Sequence, residues 1–125
     1  MKTLLAVGFG GAIGSMLRLI VSRLFPLFVF GNFPLPILAI NVVGCFAMGS
    51  VTEWLAFRGA FSEPIRAFMT TGILGGFTTF SAFSLEYGPL AEKDMTGMAF
   101  LYVAITVIAT LSACFLGMKF VRLVL

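Results

Sequence analysis

The stretch that decides the fold is MTTGILGGFTTFSAFSLE, residues 69–86. It lies inside an apolar segment long enough to cross a bilayer. Yet it carries three glycines (Gly72, Gly75 and Gly76), four threonines and two serines, with Phe80 and Phe83 interleaved with Ser81 and Ser84. A simple anchor needs none of these, because glycine weakens a helix interior and hydroxyls in hydrocarbon seek partners. Gly75-Gly76-Phe77-Thr78-Thr79 predicts a helix broken in mid-membrane, and a break frees backbone carbonyls that protein, water or a cation must satisfy. Beyond it, Phe80, Phe83 and Glu86 follow one another at i, i+3 and i+6. Ser84 is four residues from Phe80, and Ser81 lies about 100° round from it. Aromatic rings and hydroxyls thus share a surface that ends at a carboxylate.

Outward from this stretch the composition is that of a membrane protein. The 125 residues are 60% hydrophobic and 10% charged, with a mean hydropathy of +1.11, far from the soluble norm. A spanning helix takes about 20 apolar residues, so the chain divides into four spans, near residues 3–25, 35–55, 64–87 and 98–119. They form a single all-α transmembrane domain over residues 1–125, since the runs are too long and too continuously apolar for barrel strands. There is no histidine, and the only two cysteines, Cys45 and Cys114, sit in different spans. Zinc chemistry, imidazole catalysis and a Ser-His-Asp triad are excluded, and no span offers a paired acid and base, so no enzyme activity is expected. The net charge of +3 comes from scattered basic residues, which gives no basis for nucleic-acid binding.

The opening MKTLLAVGFGGAIGSM looks like a signal peptide, but its apolar character continues past Arg18, which marks an uncleaved first transmembrane helix. Gly10 and Gly14, four residues apart, either let a second helix approach closely or reflect the abundance of glycine in membrane helices. Arg18, inside the span but near one end, reads as a structural anchor that snorkels to the interface. PLFVFGNFPLP, residues 26–36, reads as a turn. In the second span Asn41, Gly44, Cys45, Met48 and Gly49 share one helical face, and Asn41 either bonds a neighbouring helix or lines a polar path. Glu53 and Trp54 mark the interface. Ser62 and Pro64 read as the start of the third helix, and residues 88–97 as a solvated loop. In the fourth span Tyr102, Thr106 and Thr110 recur at i, i+4 and i+8. That stripe is either part of a pathway or a set of hydroxyls bonded to their own helix.

Four spans place both termini on one side, with Lys2, Arg58, Arg66, Lys119 and Arg122. Arg23 and Lys93 lie on the other, joined by Arg18 if it snorkels that way. So modest an asymmetry specifies orientation weakly. No lysine or arginine lies in the aromatic and hydroxyl stripe, and weak, multiple contacts suit rapid passage. Hydroxyl donors and ring edges favour a small anion. The residues reach a polar path for a small ion, with a phenylalanine-rich helix packed against its neighbours as the alternative.

GGFTTFSAFSLE in the third span, NVVGCFAMG in the second and GGAIGSMLR in the first resemble the Fluc (CrcB) family of fluoride channels, and the resemblance covers all four spans. It implies an antiparallel, dual-topology homodimer in the bacterial inner membrane. Two pores would let cytoplasmic fluoride leave passively and so confer fluoride resistance. By this resemblance the ion path uses Asn41, Phe80, Ser81, Phe83, Ser84, Tyr102, Thr106 and Thr110, with Glu86 near a pore mouth. Arg18 matches the arginine of the family's first helix. A structural sodium ion would sit at the dimer centre on the backbone carbonyls of Gly75 and Thr78, and no organic cofactor is implied. Ala82 stands where many relatives have threonine, which leaves local tuning of the path open. Two other readings compete. A small multidrug transporter is also a four-helix dimer, but it needs a carboxylate deep in the first span, and there is none. A non-transporting scaffold predicts that the polar residues of the third and fourth spans are freely replaceable.

Overall fold

A computed structural model describes residues 1–24 and 33–125; most of the turn expected over residues 26–36 lies outside them. The described residues are helical almost throughout. Helix α1 spans Lys2–Leu24 and α2 spans Leu35–Arg58. Next come α3 (Glu63–Ala67), a π-helical segment (Phe68–Leu74), α4 (Gly75–Phe77), α5 (Phe80–Glu92) and α6 (Thr96–Val124). Pro36 and Pro64 sit in the first turns of α2 and α3, where a missing N–H costs nothing. Gly59 ends α2 in the left-handed region (φ 59°), and its N–H bonds Leu55 O, a conformation open to glycine at little cost. Helices α1, α2 and α6 are each long and apolar enough to cross a membrane, and the protein is an integral membrane protein.

The segment between α2 and α6 is not one regular helix. α3, the π segment and α4 run on to Phe77. Thr78 (φ −76°, ψ 153°) and Thr79 (φ −155°, ψ 126°) are extended, and helix resumes at Phe80. The π segment has no counterpart in the sequence reading. Such wide turns are rare and tend to occur at functional sites.

Three local expectations are corrected. Gly88–Glu92, read as loop, is the end of α5, so only Lys93–Met95 separate α5 from α6. Asp94 makes that tight turn with φ 54°, a conformation that aspartate tolerates better than most residues. Ser62 occupies the N-cap position of α3, but its side chain makes no capping bond. Helix α6 continues past Lys119 to Val124, and Arg122 has a partner there. Its Nε and Nη2 reach Glu53 Oε1 and Oε2 at 2.7 and 3.0 Å, a two-point ion pair that ties the ends of α2 and α6.

Two glycine seams hold the helices together. In one, α2 packs along α6, with Gly49 against the carbonyl of Cys114 and Gly117 against that of Phe46. Ser50 Oγ donates to Phe46 O at 2.9 Å in the same place. In the other, α1 packs along the π segment and α4. Gly10 faces Phe68 O and the Cα of Gly72, while Gly14 faces Ile73 O and Phe77 N. Gly10 and Gly14 are the buried residues of α1. Their spacing serves close approach, with backbone against backbone.

Candidate functional site

The interruption at Thr78–Thr79 creates the site. In a continuous helix Thr79 N–H would bond Gly75 O and Ala82 N–H would bond Thr78 O. Both donors are diverted. Thr79 N–H donates to Asn41 Oδ1 at 2.8 Å, and Asn41 Nδ2 returns a bond to Thr79 O at 3.0 Å. Ala82 N–H donates to Thr79 Oγ1 at 3.2 Å, so Thr79 caps the helix it precedes. Asn41, only 7% exposed, therefore gives the extended residue the paired donor and acceptor that a neighbouring strand would supply. Of its two sequence readings, the bond to a neighbouring segment is present. The Gly75 and Thr78 carbonyls lose their helical donors in this rearrangement.

Around the interruption lies a cavity of about 510 Å³ whose wall includes Asn41, Gly75, Thr78, Phe80, Phe83, Thr106 and Thr110. The chain thus gathers residues from α2, both sides of the interruption and α6. Cys45, read from the sequence on the same face as Asn41, belongs to the wall, as do Val107 and Leu111, which the sequence did not single out. Phe80 and Phe83 stand 5.3 Å apart between ring centroids, but their settings differ: Phe80 is 78% exposed and Phe83 is buried. Sharing one helical face does not give them the same surroundings, because Phe83 packs against a buried ring of α6. Its ring lies 5.1 Å from that of Tyr102.

Tyr102 is fully buried. Its hydroxyl donates to Glu86 Oε2 at 2.6 Å, and the ring of Phe33 meets it edge-on at 5.5 Å. Glu86 lines a second cavity of about 360 Å³ with Lys93, Leu85, Pro34 and Pro89. Phe83, Tyr102 and Glu86 therefore connect the first cavity to the second. Sequence placed Tyr102 and Glu86 on separate helices as separate candidates. Nothing in either helix's periodicity says that they bond.

The remaining hydroxyls divide. Ser84 Oγ donates to Phe80 O at 3.0 Å and Thr110 Oγ1 to Thr106 O at 2.7 Å, each the ordinary bond of a helical hydroxyl to its own backbone. Ser81 Oγ and Thr79 Oγ1 share a hydrogen bond of 3.0 Å. Thr106 Oγ1 is enclosed and has no partner among the described residues. The same is true of Arg18 Nε, and Arg18 lines neither of these two cavities.

Tyr102→Phe keeps the buried ring and removes its bond to the carboxylate. A hydrogen bond to a charged group contributes about 1.5–3 kcal/mol, so thermal unfolding in detergent should begin several degrees earlier. Glu86→Gln should cost less, because the amide oxygen still accepts from Tyr102. Equal stability of Tyr102→Phe and the parent would show that the bond contributes nothing.

A family model described as CrcB-like protein, Camphor Resistance (CrcB), matches residues 5–118. The chain is 45% identical to the fluoride-specific ion channel FluC of Mesorhizobium japonicum over 98% of each chain. It is 44% identical to that of Novosphingobium aromaticivorans over 93% of each chain. Against that of Caulobacter vibrioides the identity is 43%, over 98% of this chain and 97% of the other.

Proposed function

The chain belongs to the CrcB family, and from that premise we propose that it is a fluoride-specific ion channel and not an enzyme. The observation that carries this reading is identity above 40%, over nearly the whole length, to relatives named as such channels. The geometry supports it. Fluoride gives up hydration only where donors replace water, and the two cavities carry hydroxyls, an amide and phenylalanine edges with no cation fixed in the first of them. Weak contacts of that kind let an ion enter and leave. In this reading the ion passes Asn41, Phe80, Thr106 and Thr110, then Phe83, Ser81 and Ser84, and reaches Tyr102 and Glu86 at a mouth. Arg18 stays a structural anchor.

The working unit is an antiparallel homodimer with two pores, in which the third element crosses the bacterial inner membrane as a helix broken midway. It exports cytoplasmic fluoride passively. An exposed Phe80, beside exposed Val107 and Leu111 on the wall of the same cavity, supports closure of that cavity by a second copy. The weak charge asymmetry of the chain is compatible with opposite insertion of the two copies. A structural sodium ion fits the donor set at the interruption. The carbonyls of Gly75 and Thr78 would hold it, since both have lost their helical donors and oxygen suits an alkali cation. Among the described residues no group of His, Cys, Asp or Glu could hold a metal instead. When bound, the ion would supply positive charge to carbonyls left without donors.

Purified protein in liposomes loaded with potassium fluoride should release fluoride on addition of valinomycin, followed with a fluoride electrode. Liposomes loaded with potassium chloride should retain chloride. Phe80→Ile should slow fluoride release at least about tenfold, a barrier increase of about 1.4 kcal/mol, with unchanged elution on size exclusion. Monodisperse protein that releases no fluoride would overturn the channel reading.

A further inference from the structure

Cys45 and Cys114 are both free thiols, each half-buried. The path described above uses neither, although Cys45 stands on the cavity wall. Helices α2 and α6 run in the same direction: Ser50 Oγ bonds Gly117 O and Arg122 bonds Glu53, at offsets of 67 and 69 positions. Cys114 stands at the second of these offsets from Cys45, which places the two at one level of the seam. The backbones are close there. A Cβ on Gly49, one turn beyond Cys45, would lie 3.2 Å from Cys114 Cα. Side chains of two such helices lean the same way, toward the N-terminal end, so the thiols stay level. The Cys114 thiol acts electrostatically on that of Cys45.

Two thiols at one level suit a soft metal ion. Three or more His, Cys, Asp or Glu side chains are gathered nowhere among the described residues, so an ion that needs three or four ligands is not served. Mercuric ion needs two, in a line. Mercuric chloride and the two thiols give one S–Hg–S bridge and two HCl. Two S–H and two Hg–Cl bonds break, two Hg–S bonds form, and nothing is oxidised. The thiolate is the ligand, so both protons leave. Mercuric chloride enters neutral and the bridge is neutral as well, so no net charge is left in the membrane span, where a bare charge is costly. We propose that Cys45 and Cys114 form a two-thiol site for mercuric ion and that its occupation stops fluoride passage. The site rests on the seam alone. Its effect on passage rests on the reading of the chain as a fluoride channel, because Cys45 borders the cavity that holds Asn41, Phe80 and Thr110.

One equivalent of mercuric chloride per chain tests both parts. It should raise the melting temperature of the parent, because a bridge between α2 and α6 also restricts the unfolded chain. Cys45→Ser and Cys114→Ser should each lose that rise. So should the parent with methylmercuric chloride, which has one open position and cannot bridge. Fluoride efflux from liposomes of the parent should fall at least about tenfold on adding mercuric chloride and return with dithiothreitol. Each serine variant, compared with its own efflux before mercury, should keep most of it. A parent that mercuric chloride does not stabilise, or a rise of equal size in either variant, would overturn the site. Block of Cys114→Ser as complete as that of the parent would mean that one thiol on the wall suffices, and would reject the pair. Full efflux through a mercury-stabilised parent would keep the site and reject its effect on passage. A parent that conducts no fluoride before mercury is added would overturn the channel reading, and the melting temperatures would still decide the site. If a serine variant does not assemble, the methylmercury comparison on the parent decides.

Discussion

Asn41→Leu should destabilise the protein by about 2–6 kcal/mol and remove fluoride conduction. The side chain is buried and both of its polar atoms are used, one by the N–H and the other by the C=O of Thr79. Leucine has the same branched skeleton and can serve neither. Each buried backbone group left without a partner costs about 1–3 kcal/mol, and the membrane interior offers no water to replace the loss. The extended pair Thr78–Thr79 then has no reason to stay extended. If Thr79 returns to a helical conformation, its N–H goes back to Gly75 O, and the carbonyls and N–H groups around the cavity close on one another. Asn41→Asp separates the two roles. The carboxylate still accepts from Thr79 N–H but opposes Thr79 O, and it adds negative charge to the wall of an anion path. Its loss of conduction should exceed what its loss of stability predicts. Trp54 is the single tryptophan of the chain and reports unfolding by fluorescence, while liposome efflux reports conduction. Asn41→Leu with the parent's melting temperature would show that Thr79 is held by something else.

The sequence was most legible where one residue type implies one constraint. Pro36 and Pro64 mark helix starts, and the composition sets a helical membrane protein of short spans. Gly10 and Gly14 announced a seam but left its partner unnamed, because a small face says only that something approaches closely. Thr79 carried a readable signal, a hydroxyl residue immediately before a helix, which is the usual N-cap. The π segment carried none that separates a π-helix from an α-helix, and it packs against α1. Pairings between distant residues were also out of reach. Asn41 could have bonded anything, and its partner turned out to be a backbone, which has no signature in a sequence. The bond between Tyr102 and Glu86 follows from how α5 sits against α6, a tertiary fact that two separate periodicities cannot contain.

The second large effect is expected at Gly14. An alanine Cβ there would fall on Ile73 O and within 2.8 Å of Phe77 N. Both are backbone atoms and cannot turn aside as a side chain would, so α1 and the third element must separate. Overpacking of this kind costs about 1–3 kcal/mol, and Gly14→Ala should unfold correspondingly earlier. Gly8→Ala is the control. Its Cβ meets nothing within 4 Å, and alanine favours a helix over glycine by about 0.5–1 kcal/mol, so stability should hold or rise. The consequence for conduction follows from where Gly14 presses. Phe77 is the last residue of α4, and Thr78 and Thr79 follow it directly. Moving Phe77 outward draws Thr79 away from Asn41 without altering either residue. Gly14→Ala should therefore lose conduction as well as stability, although Gly14 lines neither cavity. Gly49→Ala gives the comparison, because its Cβ meets Cys114 O across the other seam. That contact lies away from the bonds between Asn41 and Thr79, so for an equal loss of stability it should leave more of the conduction. Equal loss of conduction in both would mean that fluoride passage follows overall stability and not the position of the interruption.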